Sequence, residues 1–181
     1  MKKKQIISVM CILLMGLILS ADPAFAGKPD HAKGGGKPGP SIVDVAIEVN
    51  STGDFAGQFD TLIAAVLAAN PLVLSVLSGN GQYTVFAPTD DAFEAIGITP
   101  DNVDEFDQDF LTDVLLYHVA RGRRDSTDVL DSERIRMLKG GFLLQDSGVL
   151  TDNGGRTATI QVVDVEAANG IIHVIDSVVI P

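Results

Sequence analysis

The stretch Gly81–Ile96, GQYTVFAPTDDAFEAI, constrains this chain more than any other. Tyr83 to Ala87 alternates and is rich in aromatic and β-branched residues, the pattern of a short strand with a buried face. Pro88 has no N–H to donate and ends the ladder. Thr89 offers a hydroxyl to cap a helix start. Asp90 and Asp91 place negative charge in the first turn, where the helix dipole favours it. Phe93 and Ile96, three residues apart, share one helical face. The reading is a strand, a hard turn and a capped helix, with Phe86 and Phe93 as core anchors.

The N-terminus reads as an export signal rather than as part of the fold. Lys2, Lys3 and Lys4 form a basic n-region, Ile6 to Leu19 an apolar h-region, and Ala24-Phe25-Ala26 a signal-peptidase site of bacterial type. The apolar run is shorter than the ~20 residues of a membrane span. Cleavage is expected after Ala26, without a lipid, since the only cysteine, Cys11, lies inside the signal. Residues 27–40, GKPDHAKGGGKPGP, have almost no apolar content and read as a flexible linker, with His31 a solvated side chain. The whole chain carries a net charge of −11, and cleavage at Ala26 takes it to about −13. Such a chain is repelled by nucleic acid and by anionic membranes, so neither is an expected partner. The mature chain has no cysteine, and its core alone must hold it together. About two thirds of the unfolded surface is buried at this length, which makes that feasible.

The remaining residues, 41–181, read as one domain. Ser41 can cap a helix carrying Ile42, Val45, Ala46 and Val49. Asn50-Ser51-Thr52 has the pattern of a glycosylation sequon, of little weight in a bacterial chain. Phe59, Leu62, Ile63, Val66 and Leu67 form one helical stripe. Asn70-Pro71 starts a further helix whose expected buried face is Leu72, Val73, Val76 and Leu77. Thr99-Pro100 is another cap-plus-proline start, and Phe110, Val114 and Tyr117 mark the next helix. From Ile135 onward short β runs take over: 135–138, 142–144, 159–163, 171–175 and 178–180, separated by turn signals such as Gly140-Gly141 and Asp152-Asn153-Gly154-Gly155. Helices first and strands later, with one strand between, argue for an α+β fold rather than alternating βαβ units.

Three segments carry a family resemblance. TVFAPTDDAFEAI resembles the first signature of the fasciclin (FAS1) domain family. Leu115-Leu116-Tyr117-His118-Val119 resembles its Tyr-His segment. Asn169 to Asp176, running on to Pro181, resembles its closing signature. The three occur in the family's order. The resemblance implies a FAS1 fold, a two-sheet β-wedge with helices packed along one side. It also implies adhesion: in animal matrix members the Tyr-His region is implicated in receptor binding, which makes Leu115, Leu116, Tyr117, His118 and Val119 the candidate binding segment here.

The residues themselves offer little chemistry. There is no P-loop, dinucleotide fingerprint or His-Glu-x-x-His zinc motif, and no serine sits in a G-x-S-x-G elbow. The acidic run Asp101, Asp104, Glu105, Asp107 and Asp109 lacks the mid-loop glycine of a calcium loop and reads as a solvated face. No metal or cofactor is expected. Arg121 to Arg124 is a small basic island. His118 and His173 are flanked by apolar residues and read as structural imidazoles using both ring nitrogens on backbone groups. The expectation is therefore a secreted, monomeric, non-enzymatic module that binds an extracellular protein, a cell surface or a polysaccharide. Two alternatives stay open: a carrier of an apolar small ligand in a groove between helices and wedge, and a hydrolase using His118 or His173 with a serine and a carboxylate.

Overall fold

The computed structural model describes residues 39–181. The expected signal peptide, and all of the linker before Gly39, lie outside the described residues. Three helices come first: α1 (Ile42–Ser51), α2 (Asp60–Ala68) and α3 (Pro71–Ser78). Ser41 and Asp44 close a capping box at the start of α1: the Ser41 hydroxyl accepts from the Asp44 N–H and the Asp44 carboxylate accepts from the Ser41 N–H. Asn70 caps α3 through the Leu72 N–H at 2.9 Å, with Pro71 at the first helical position, as the sequence predicts. Strand β1 (Tyr83–Pro88) and the short α4 (Asp90–Glu94) follow. After a 3-10 turn at Val103–Glu105 come α5 (Gln108–Tyr117), β2 (Val119–Arg121) and α6 (Ser126–Leu130). The chain then runs through β3 (Arg134–Arg136), β4 (Phe142–Asp146), β5 (Val149–Thr151), β6 (Thr157–Ala167) and β7 (Gly170–Ile175).

The strands form one seven-stranded array in the order β2-β1-β7-β6-β5-β4-β3. β1 and β7 pair in parallel, from Tyr83 opposite Gly170 to Pro88 opposite Ile175, and the other pairings are antiparallel. Two register shifts in β6, between Ile160 and Val165, bend that strand. It belongs to both halves of the wedge. The array curls until its ends nearly meet: Ala120, in β2, bridges Met137, just past β3, and the Val119 carbonyl accepts from the Leu138 N–H at 2.6 Å. The α+β wedge with helices along one side is therefore present, and its curl makes it almost a barrel.

Two apolar cores result. One lies between the helices and the sheet and includes Ile42, Phe59, Val73, Phe93, Leu111 and Ile172. The other fills the curl with Phe86, Tyr117, Ile135, Leu143, Leu150 and Ile175. β1 separates them, with Val85 and Ala87 in the first core and Phe86 in the second, so it is buried on both faces. Phe86 and Phe93 are both core residues, at 0% and 1% exposure.

Several local expectations give way. Thr89 makes no side-chain cap. The Asp90 carboxylate turns instead to the start of α2, thirty residues earlier, and accepts from the N–H groups of Asp60 and Thr61 at 3.2 and 2.8 Å. Asn50 is not a surface acceptor in isolation: its Oδ1 takes the Phe59 N–H at 2.8 Å. Thr99-Pro100 starts only a turn, because the Asn102 side chain accepts from the Thr99 N–H and diverts the backbone. Helix α5 begins later, where Asp107 accepts from the Asp109 and Phe110 N–H groups. Residues 178–180 are not a strand. Their backbone N–H groups go to side chains, Val179 to His118 Nε2 and Ile180 to Asp152 Oδ2, although Val178 and Val179 are buried. The helix faces are also rotated from expectation. α2 buries Thr61, Leu62 and Ala65, and leaves Leu67 69% exposed; α3 buries Val73 and Leu77, and leaves Leu72 58% exposed.

Candidate functional site

The candidate segment Leu115–Val119 spans the end of α5 and the start of β2. Leu115, Tyr117, His118 and Val119 are buried, and Leu116 is half-buried. The Tyr117 hydroxyl donates to the Phe142 carbonyl at 2.9 Å inside the curl. His118 occupies the C-cap of α5. Its Nδ1 lies 2.8 Å from the Val114 carbonyl, and its Nε2 lies 3.2 Å from the Val179 N–H. A carbonyl can only accept and an N–H can only donate, so Nδ1 carries the proton and Nε2 is bare. The ring is neutral. Burial pushes its pKa down from 6.5 to about 4, against the opposing pull of the Val114 bond.

His173, on β7, is the mirror case. Its Nε2 donates to the Arg124 carbonyl at 3.1 Å and its Nδ1 accepts from the Asp164 N–H at 3.3 Å, so it holds the other tautomer. The ring stacks on Phe86 with centroids 5.7 Å apart. Burial again lowers its pKa, outweighing the Arg124 bond and the charges of Asp164 and Asp125. Both histidines thus use both ring nitrogens on backbone groups.

His173 also borders a cavity of about 200 Å³ together with Ser126, and Asp164 lies beside them. This is the constellation that a hydrolase would need, and neither Ser126 nor Asp164 stands out in the sequence. Asp164 reaches this place because β6 bulges there and its φ is +61°, a backbone setting that non-glycine residues seldom adopt. The order of the bonds is wrong for nucleophile activation. Ser126 Oγ donates to the Asp164 carboxylate at 2.5 Å, and that carboxylate also accepts the Ser126 N–H at 2.7 Å, capping α6. The imidazole that should take the serine proton is turned to backbone partners on both sides. The three residues brace a helix start against a bulge.

Helices α1, α2 and α3 wall a groove, with core residues such as Ile42, Leu62 and Leu77 deep in it and the less buried Val43, Ile63, Val66 and Leu74 above them. Its interior, about 130 Å³, is almost wholly apolar. Leu115, His118 and Val119 border it, while Ile47 and Leu67, 46% and 69% exposed, stand at its walls. Three of the five candidate residues therefore meet this groove from beneath. Among the described residues no group of His, Cys, Asp or Glu could hold a metal ion. Asp101, Asp104, Glu105 and Asp109 are exposed and Asp107 serves as the α5 cap, which leaves the run as a solvated face.

The curled α+β wedge thus carries a helix-walled apolar groove and two histidines locked to its backbone. The fasciclin domain model matches residues 57–181, and the chain belongs to the fasciclin domain family. It is 39% identical over 133 residues to protein sll1483 of Synechocystis, covering 68% of this chain and 67% of that protein. With protein sll1735 of the same organism it shares 35% identity over 145 residues, 78% of this chain and 98% of the relative. A solved FAS1 domain pair from the insect cell adhesion molecule fasciclin I shares the fold. Its TM-score is 0.54 at 19% identity, covering 68% of this chain and 45% of that one.

Proposed function

We propose that this protein is an exported, non-catalytic binding module of the adhesion type, which takes apolar side chains of an extracellular protein partner into the groove between α1, α2 and α3. The observation that carries this reading is the groove itself, with Ile47 and Leu67 exposed on its walls. Exposed apolar residues around a concave site are the mark of an interaction surface. Because its lining is almost wholly apolar, the groove suits a protein side chain better than a sugar. The buried segment Leu115–Val119 contributes from below, as the floor that sets the groove's depth, rather than as a contact reaching outward. Export rests on the N-terminal pattern, and the monomer is the working state.

Leu67→Asp tests the reading, since its side chain is exposed and its loss leaves the core intact. Surfaces coated with wild-type protein should retain cells of the native host, and surfaces coated with the variant should not, at unchanged melting temperature. Equal retention would defeat the groove as the contact. The mature protein is expected to begin at Gly27 without an acyl group, which intact mass of secreted material checks.

The carrier reading is supported by the same cavity, and its size limits the cargo. A cavity of ~150 Å³ holds a benzene-sized molecule, so about 130 Å³ admits one ring or a short alkyl group. Organic extraction of natively purified protein, followed by mass spectrometry, separates the two: a stoichiometric apolar molecule would favour the carrier.

A further inference from the structure

The seam where the curled array nearly closes carries an unusual concentration of positive charge. Residues 39–181 contain 22 acidic and seven basic side chains, and four of the seven, Arg121, Arg124, Arg136 and Lys139, line a single cleft of about 550 Å³. Lys139 is paired with Asp113. Among the described residues, the other three have no carboxylate within ion-pair distance, although carboxylates outnumber cations threefold.

The register makes the crowding sharper. Ala120 bridges Met137 in antiparallel sense, which sets Arg121 directly across the seam from Arg136. Both are exposed on the outer face, while Ala120 and Met137 point inward at 0% and 2% exposure. Like charges directly opposite one another destabilise a strand pair. An oxyanion held between them would convert that repulsion into two charge-assisted contacts, and the planar guanidinium fork matches a carboxylate or sulfate. Arg124 lies deeper, half-buried, with one Nη donating to Ser132 Oγ at 3.3 Å, so it is partly pre-oriented at the cleft wall.

We infer that this cleft binds the carboxylate or sulfate groups of an acidic oligosaccharide. The surrounding charge selects the ligand class. Duplex DNA carries a charge about every 1.7 Å and each strand one about every 3.4 Å, and the flanks of either would meet the acidic remainder of the surface. A sugar chain with about one charge per residue can place a charged group in the cleft and neutral portions beyond it. The cleft is distinct from the apolar groove, and the inference does not depend on that groove being a contact.

Calorimetric titration in low-salt buffer tests it with four probes: a uronic-acid trisaccharide, a neutral trisaccharide, inorganic sulfate and a short single-stranded DNA. The wild type should bind the uronate and not the neutral sugar, and R121Q/R136Q should bind the uronate at least about tenfold more weakly, the scale for two partly exposed charged contacts. Affinity should fall as salt shortens the screening length. In the ligand-free state the double variant should melt at the same temperature as wild type or higher, because the facing charges are gone; this shows that lost binding is not lost fold. Equal uronate binding by wild type and double variant, or none by the wild type, overturns the site. Sulfate or DNA binding as tightly as the uronate overturns the assignment to a sugar.

Discussion

Replacing His118 with alanine separates a structural imidazole from a contact residue. The ring is 2% exposed and joins three parts of the molecule: the last turn of α5 through the Val114 carbonyl, its own position at the head of β2, and the C-terminal tail through the Val179 N–H. Truncation leaves that carbonyl and that N–H without the ring. Water cannot readily replace it, because Val114 and Val179 are themselves buried at 2% and 0%. Each stranded group costs about 1–3 kcal/mol, so the pair should cost roughly 2–6 kcal/mol, before any loss from the missing ring volume. That is a large share of a typical domain's ~5–15 kcal/mol. Urea denaturation of wild type and His118→Ala measures it, with cell retention followed on the same samples. His118→Asn should recover part of the loss, since its amide can still donate towards Val114 but cannot reach Val179. A midpoint unchanged in His118→Ala would refute the structural assignment, and retention lost at full stability would make His118 a contact residue.

Protonation probes the same bonds. The unfolded imidazole titrates near 6.5 and the folded one near 4, so the unfolded state takes up the proton first as pH falls. The stability from neutral His118 is complete above about pH 6.5 and drains away towards pH 4, by roughly 3 kcal/mol; a denaturation slope no steeper in wild type than in His118→Asn across that window would contradict this. Phe93→Ala should cost about 3–5 kcal/mol by thermal or urea melting, because the ring is 1% exposed in the helix-side core. Asp90→Ala should cost about 0.5–2 kcal/mol by removing the remote cap of α2, with amide exchange at Asp60 and Thr61 rising more than at the core of α5. A chelator should leave the melting temperature unchanged, and a large fall would reveal a metal tied to the acidic run.

The sequence made legible what is local and periodic. The capping box at Ser41, the Asn70-Pro71 start, the central strand with Phe86 and the helix after it with Phe93 follow from patterns within a few residues. What escaped was set by partners distant along the chain. Asp90 has the position of a first-turn acid, yet it caps α2 because the β1–α4 turn lies against that helix start. Val178 to Ile180 has strand composition, but side chains from α5 and the Asp152 turn claim its N–H groups. β2 and β5, three residues each, are too short for any periodicity to register. In the candidate segment, the residue types pointed equally to core and to contact; only the fold decides that Leu115, His118 and Val119 lie beneath a groove. The meeting of Ser126, Asp164 and His173 depends on a β-bulge, which leaves no mark that this sequence alone displays.

The two histidines explain how residues 39–181, which contain no cysteine, can support two cores. A strand buried on both faces, as β1 is, gives the cores a common wall but does not fix what lies at its edges. His118 holds the β2 side, tying α5 to the C-terminal tail. His173 holds the β7 side, tying the Arg124 loop to the bulge in β6. Imidazole suits both places because, when neutral, it offers one donor and one acceptor at opposite edges of a rigid ring, and so joins a carbonyl to an N–H that are too far apart to bond directly. Lysine or arginine would bring an uncompensated charge into the same site, and serine could not span it. The opposite tautomers follow from which ring nitrogen meets the carbonyl. The same satisfaction that makes these rings good braces removes them as bases: with both nitrogens engaged, a proton can be taken up only by breaking a backbone contact that the fold uses.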